Sequence, residues 1–273
     1  MSCADPKPHV FSTEAPIEYH YSQTGRYAAE VIEIATQGQA GHLRAYIPVG
    51  RQSERPVVVL QNGTGVDIDT YDALARHLAS WGLIVVGSYD QQMGSGAAGI
   101  AILHNLQEWA TLPGHPLNGR IDVDNIAMAG SSQGAVGTIN AHTRFAEGRT
   151  IKALAIHGLP TRQAIDFFGL DLSYDVAGVT APIFVMTGTE DEFISPIALN
   201  QASFNAMTYA NLRVLGVAQD ATHIEFADDG GRMKGYLTAW MLYRLTQDSY
   251  AAQAFEEPAE ITLNPSWSIA NVH

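Results

Sequence analysis

Six short apolar runs, separated by stretches with helical spacing, constrain this chain more than any other feature. They are "PVVVLQNG" (56–63), "GLIVVGSY" (82–89), "NIAMAG" (125–130), "IKALAIHG" (151–158), "APIFVMTG" (181–188) and "NLRVLGVA" (211–218). Each is bounded by Gly, Asn or Pro, and each is apolar almost without interruption, as strands covered on both faces of a parallel sheet must be. The intervening stretches 70–82, 96–112, 132–148, 196–207 and 232–250 read as helices; the first carries Ala73, Leu74, Leu78 and Trp81 on one side and stops at glycine. Parallel neighbours joined through helices require right-handed crossovers, so the expected fold is α/β, with a mostly parallel central sheet and helices on both faces.

Ahead of this pattern, "AEVIEIAT" and "GHLRAYIPV" alternate apolar and polar residues around "QGQAG", which predicts an antiparallel N-terminal hairpin. Residues 1–16 are polar, contain three prolines and read as a flexible lead-in. No repeat or linker divides the remainder, so residues 17–273 are expected to form a single domain. No apolar run approaches the roughly 20 residues that a membrane-spanning helix needs. The formal net charge is −13, from 15 basic and 28 acidic residues, which disfavours a nucleic-acid partner and binding to anionic membranes. The single cysteine, Cys3, excludes an intramolecular disulfide. The start "MSCADPKPH" has no basic stretch and apolar core, so no intact leader is read there. The expected location is secreted or periplasmic, with Cys3 as a lipid-anchor point, and a cytoplasmic location as the alternative.

The run "NIAMAG" leads straight into Gly130-Ser131-Ser132-Gln133-Gly134 and then a helix. A strand, a sharp turn and a helix around G-x-S-x-G form the nucleophile elbow of α/β-hydrolases, which makes Ser132 the candidate nucleophile and Ser131 the spacer. A serine hydroxyl needs a base to remove its proton and a third group to orient that base. In this fold those partners follow in the order acid, then histidine. The loop after "FVMTG" offers Glu190, Asp191 and Glu192; Asp191 is favoured because its distance from the strand end suits a side chain reaching back to the sheet edge. His223 follows the next strand. All three lie beyond the C-terminal ends of predicted parallel strands, where open α/β sheets place their sites. The oxyanion of an acyl-transfer intermediate needs donors: the N–H of Gln133, and that of Thr64 in the glycine-rich turn Gln61-Asn62-Gly63-Thr64-Gly65.

Among the other histidines, His157 ends a strand near the site and is a candidate pocket residue. His77, His104 and His142 fall within predicted helices, His9, His20 and His42 precede the main sheet, His115 lies in a loop, and His273 ends the chain. No pair has the spacing of a zinc motif, so no metal site is expected.

The motifs "QTGRYAAEVI…LRAYIP", "VVVLQNGTG", "LARHLASWGLIVV", "VDNIAMAGSSQGA", "TGTEDEFISP", "ATHIEFA" and the tail "LTAWMLYRLTQDSYAAQAFEE…NPSW" resemble those of bacterial cutinase-like and PET-hydrolase-like polyesterases. Dienelactone hydrolases and chlorophyllase-type esterases are wider relatives of that family. The resemblance covers roughly residues 21–267. It implies an α/β-hydrolase fold without a large lid, cofactor-free ester hydrolysis, a triad of Ser132, Asp191 and His223, and amide donors at Gln133 and Thr64. The chain departs from that family at the elbow, where Gly130-Ser131-Ser132-Gln133-Gly134-Ala135 stands in place of G-H-S-M-G-G. It departs again at "AIHGLP", where His157, Leu159 and Pro160 stand near a position often held by Trp, and the family's C-terminal disulfide cannot form.

The expected function is therefore serine carboxylic-ester hydrolysis through an acyl-enzyme, on short- or medium-chain small-molecule esters or on polymeric ones. An acyltransferase or amidase on the same triad is the first alternative, and a non-catalytic binding protein of the same fold the second. The longest irregular stretch, 159–180, contains "DFFGLDLSYDVAG", so Phe167, Phe168 and Tyr174 are expected beside the pocket together with His157 and Leu159.

Overall fold

The structure, a computed structural model, describes residues 14–36, 38–50 and 53–273. Cys3 and most of the predicted lead-in lie outside the described residues.

In chain order the elements are α1 (Pro16–Ser22), β1 (Ala29–Ala35), β2 (His42–Pro48), β3 (Arg55–Gln61), α2 (Asp72–Ser80), β4 (Ile84–Ser88) and α3 (Ala97–Trp109). There follow β5 (Ile121–Ser131), α4 (Gln133–Arg144), β6 (Ala153–His157), α5 (Arg162–Phe167), β7 (Ile183–Gly188) and α6 (Ile197–Ala206). The chain ends with β8 (Arg213–Ala218), α7 (Lys234–Thr246), α8 (Ser249–Ala252), α9 (Glu260–Leu263) and β9 (Trp267–Val272).

The described strands form one mixed sheet in the order β1-β2-β4-β3-β5-β6-β7-β8-β9. From β4 to β8 every neighbouring pair is parallel, while β1–β2, β2–β4 and β8–β9 are antiparallel. The fold is thus α/β, with a mostly parallel sheet and the expected antiparallel hairpin at its N-terminal edge.

The period-2 alternation of strand side chains explains why the central runs are apolar throughout. Val57 and Val59 of β3 face a cluster with Leu103, Leu106, Val136 and Ile139 from α3 and α4. Val58 and Leu60 face the opposite cluster, with Leu74 and Leu78 from α2 and Leu237 and Trp240 from α7. Burying each such side chain contributes about 1.5–3 kcal/mol, and covering both faces collects that gain at every residue of the strand.

Four differences from the sequence reading have local causes. β5 begins at Ile121, earlier than expected, because "IDVD" lacks the apolar run but pairs with the start of β3 through Arg55↔Ile121. β9 was not anticipated; it is a short edge strand whose pairing with β8 is purely tertiary. The stretch predicted as one helix over 232–250 is cut at Gln247, whose backbone is left-handed (φ 57°), and restarts where the Asp248 carboxylate accepts the N–H groups of Tyr250 and Ala251. Finally, 159–180 is not wholly irregular: α5 starts where Thr161 Oγ1 accepts the Ala164 N–H.

Chain segments leaving the C-terminal ends of β3, β5, β6, β7 and β8 all emerge on the same edge of the sheet, which follows from their parallel pairing. Every sequence-predicted triad and oxyanion residue lies on one of those segments.

Candidate active site

β5 ends at Ser131 and α4 begins at Gln133, so the whole change of direction falls on Ser132, at φ 56° and ψ −119°. A non-glycine residue held there costs on the order of 1–3 kcal/mol, and such strain persists only where the surroundings enforce it. They do so here. The Ser132 N–H donates to the His157 carbonyl (2.9 Å), and the Ser132 carbonyl accepts from Ala135 N–H (2.9 Å). Glycine is required on either side by close approach: a Cβ on Gly130 would run into the Gly134 carbonyl, and one on Gly134 into the Gln61 carbonyl.

Asp191, three residues beyond β7, is buried, whereas Glu190 and Glu192 are exposed. Its two oxygens have separate duties. Oδ1 accepts the Ser195 N–H (3.1 Å), and Oδ2 lies 2.6 Å from His223 Nδ1. A carboxylate oxygen can only accept in that contact, so Nδ1 carries a proton, and in the neutral ring Nε2 keeps a free lone pair. The loop holding Asp191 is tied to the loop holding His223: Thr189 N–H donates to Ala218 O and Glu190 N–H to Ala221 O, each at 3.0 Å.

His223 packs against the backbone of Gly158, the residue after β6. Gly158 has φ +62°, and a Cβ there would stand 2.8 Å from His223 Cε1 and 2.9 Å from Nδ1. No other residue type leaves room for the imidazole in this position. The glycine after "AIH" was visible in the sequence; what it accommodates was not.

Ser132 and His223 line one cavity of about 340 Å³, together with Thr64 and Gln133. Ser132 Oγ makes no hydrogen bond to His223 in this structure; contacts of this kind commonly tighten only when substrate is bound. The N–H groups of Thr64 and Gln133 have no acceptor among the described residues. The turn bearing Thr64 is anchored from below, since Asn62 Nδ2 donates to the carbonyls of Ser88 (2.6 Å) and Asp90 (2.8 Å). The Gln133 amide crosses from α4 to that turn, donating to Thr64 Oγ1 (3.4 Å) and Gln92 Oε1 (3.3 Å).

Most of the remaining cavity wall is apolar, with Val66, Pro160, Ala164, Ile165, Leu170 and Ile194, and with Phe168 and Ile224 at exposed positions; Thr70, Tyr71 and Ser131 add hydroxyl-bearing residues. No Asp, Glu, Lys or Arg lines it. Of the residues proposed for the pocket from sequence, Phe168 is in the wall. Phe167 is 72% exposed outside it, in edge-to-face contact with Phe168 and Phe193. Leu159 is fully buried in the core, and Tyr174 is tied back by its hydroxyl to the Pro160 carbonyl (2.8 Å).

His157 lies beneath the cavity without lining it. It is wholly buried, stacked on Phe226 (ring centres 5.3 Å apart, 14° between planes) and 6.2 Å from the His223 ring. Its Nδ1 hydrogen-bonds with Ser131 Oγ at 3.1 Å, and its Nε2 has no partner among the described residues. Burial, reinforced by the nearby His223, pushes its pKa down to about 3, so His157 stays neutral.

Sequence reasoning missed Tyr71, which enters the cavity wall from the turn ahead of α2, and also Ile165, Leu170, Ile194 and Ile224. The one local cue was Ile224 directly after His223; that its side chain is exposed at the cavity only the structure shows.

No group of three or more His, Cys, Asp or Glu among the described residues is placed to hold a metal ion, and no described helix is long and apolar enough to cross a membrane. No protein-family model matches the chain, and no curated protein matches it.

Proposed function

We propose that this chain is a serine carboxylic-ester hydrolase of the α/β-hydrolase fold, acting through a covalent acyl-enzyme. The observation that carries this reading is the strained Ser132 at the strand-to-helix turn, sharing a cavity with an imidazole held 2.6 Å from a buried carboxylate.

Ser132 Oγ attacks the ester carbonyl carbon while His223 Nε2 takes the hydroxyl proton. The carbonyl π-electrons move onto oxygen, and the N–H groups of Thr64 and Gln133 stabilise that oxyanion. Such donors act strongly because they are preorganised and sheltered from water. Collapse of the intermediate breaks the bond to the alcohol, which leaves with the proton from His223. Water then attacks the acyl-enzyme by the same route, His223 acting as base, and the acid is released as Ser132 regains its proton. Asp191 holds the ring with Nδ1 protonated and stabilises the transient imidazolium.

The uncharged wall and the net charge of −13 favour neutral esters, and about 340 Å³ suits a short or medium acyl group. The resemblance to cutinase-like polyesterases extends the proposed substrates to polyester chains entering from the open side. Transfer to another acceptor uses the same steps, so product analysis with competing alcohols is the control for that alternative.

The test is hydrolysis of p-nitrophenyl esters by Ser132→Ala. Turnover should fall on the order of 10⁴-fold or more, and labelling by a fluorophosphonate should disappear. Near-native hydrolysis by this variant overturns the reading.

A further inference from the structure

Tyr71 occupies a position that the mechanism above does not use. It ends a short 3₁₀ turn, Ile68–Tyr71, and is only 4% exposed, yet its side chain forms part of the cavity wall. The phenolic oxygen accepts the Gly63 N–H at 3.0 Å, directly beside Thr64. A phenol both accepts and donates. Here the accepting side is occupied, while the proton has no acceptor among the described residues. A buried phenol in a cavity wall, with its accepting side occupied and its proton without a partner, is a donor available to what enters that cavity.

The ring is also held firmly in register with the other reacting groups. Its edge meets Phe226 (6.1 Å between centres), the same ring that stacks on His157. Backbone bonds from Asp228 N–H to the Thr70 carbonyl (2.8 Å) and from Leu74 N–H to the Asp228 carbonyl (2.9 Å) pin its turn to the segment that carries His223. Tyr71 is thus tied to the turn after β3 through its hydroxyl and to the loop after β8 through the backbone on either side of it.

Resting on the ester-hydrolase reading, we propose that Tyr71 is a further catalytic residue, its O–H donating to the ester oxygen that becomes negatively charged, alongside the N–H groups of Thr64 and Gln133. Burial raises the Tyr71 pKa, which keeps the proton in place throughout the neutral range. No covalent step changes: the phenol stays protonated, and its contribution is a hydrogen bond that strengthens as charge develops on the oxygen.

The test is Tyr71→Phe, which keeps the ring and removes the hydroxyl, assayed beside wild type and Ser132→Ala on one p-nitrophenyl ester. Removing one oxyanion donor should lower kcat by about ten- to a hundredfold with KM nearly unchanged, and slow inactivation by a phosphonate ester to a similar extent. Because Tyr71→Phe also deprives the Gly63 N–H of its acceptor, a second variant carries a ring-fluorinated tyrosine at position 71. That phenol still accepts from Gly63 but ionises at lower pH, and a phenolate cannot donate. The alkaline limb of its kcat profile should move to lower pH as fluorines are added. Tyr71→Phe with wild-type kcat, or a fluorotyrosine profile that does not move, overturns the proposal while Ser132→Ala remains inactive. Activity retained by Ser132→Ala overturns the underlying reading instead, whatever Tyr71→Phe does.

Discussion

Two carboxylates are buried among the described residues, and only one of them faces the candidate site. Asp191 meets an imidazole whose far side opens on a cavity. Glu18, on α1, lies where that helix meets the segment from α9 to β9: its oxygens accept from Trp267 Nε1 (2.8 Å) and Asn264 Nδ2 (2.7 Å). Beside it, Glu260 takes the N–H groups of Ile17 and Glu18 and the Tyr236 hydroxyl. Indole and amide donors cannot pass on a proton, so Glu18 closes a clasp from α1 to α7, α9 and β9. Burial of a carboxylate is therefore no mark of function by itself. What separates the two sites is whether the partner has a second nitrogen that can exchange a proton with something outside.

Substitutions at the two carboxylates should split accordingly. Asp191→Asn should lower kcat on the order of 10⁴-fold, because the amide no longer selects the ring tautomer that leaves Nε2 free. A fall of less than tenfold would place the essential acid elsewhere. Gly158→Ala should follow, with kcat/KM reduced about a hundredfold, since the new Cβ displaces His223 and the left-handed backbone adds about 1 kcal/mol of strain. Unchanged kcat/KM there would mean that His223 tolerates movement, against a role as base.

Glu18→Gln should do the reverse. Both donors lose a charged acceptor and one of them meets an NH2 in place of an oxygen, so urea unfolding should show about 2–3 kcal/mol less stability while kcat stays at wild type. A catalytic defect in this variant would show that the clasp and the site are coupled.

Each region also holds a buried neutral histidine. His157 lies under the site with its pKa pushed down to about 3; His77 hydrogen-bonds the Tyr21 carbonyl (2.9 Å) near the clasp, its pKa lowered to about 4 by burial. In the unfolded chain both titrate near the ordinary value of about 6.5. Below that pH the unfolded chain binds protons that the fold excludes, so stability is complete above pH 6.5 and falls as pH drops toward 4 and 3. By pH 5 each histidine accounts for a loss of about 2 kcal/mol. His77→Gln should flatten the acid limb of Tm against pH without altering kcat; an unchanged slope would mean that other groups govern acid unfolding.

The smallest expected effect concerns charge. Neutral esters should exceed matched carboxylate-bearing esters severalfold in kcat/KM at low salt, and the gap should narrow as salt rises. A preference for anionic esters that salt leaves untouched would require a local basic group, and the described cavity wall has none.

The period of the apolar residues determined much of this protein by itself. Strand and helix patterns repeat over two to four residues, so β3 to β8 and the helices between them, the short α5 excepted, were legible locally, and so was the glycine-flanked Ser132 between a strand and a helix. Parallel pairing then put Asp191 and His223 on the same sheet edge as Ser132, because every such strand ends there. Only the tertiary structure decided the rest. The Trp267–Glu18 bond joins residues 249 positions apart, Gly158 matters through a ring 65 residues later, and Tyr71 reaches the cavity from a turn whose sequence looks like any other. Those relations depend on how close two backbones come once the sheet has formed, and no local spacing encodes that distance.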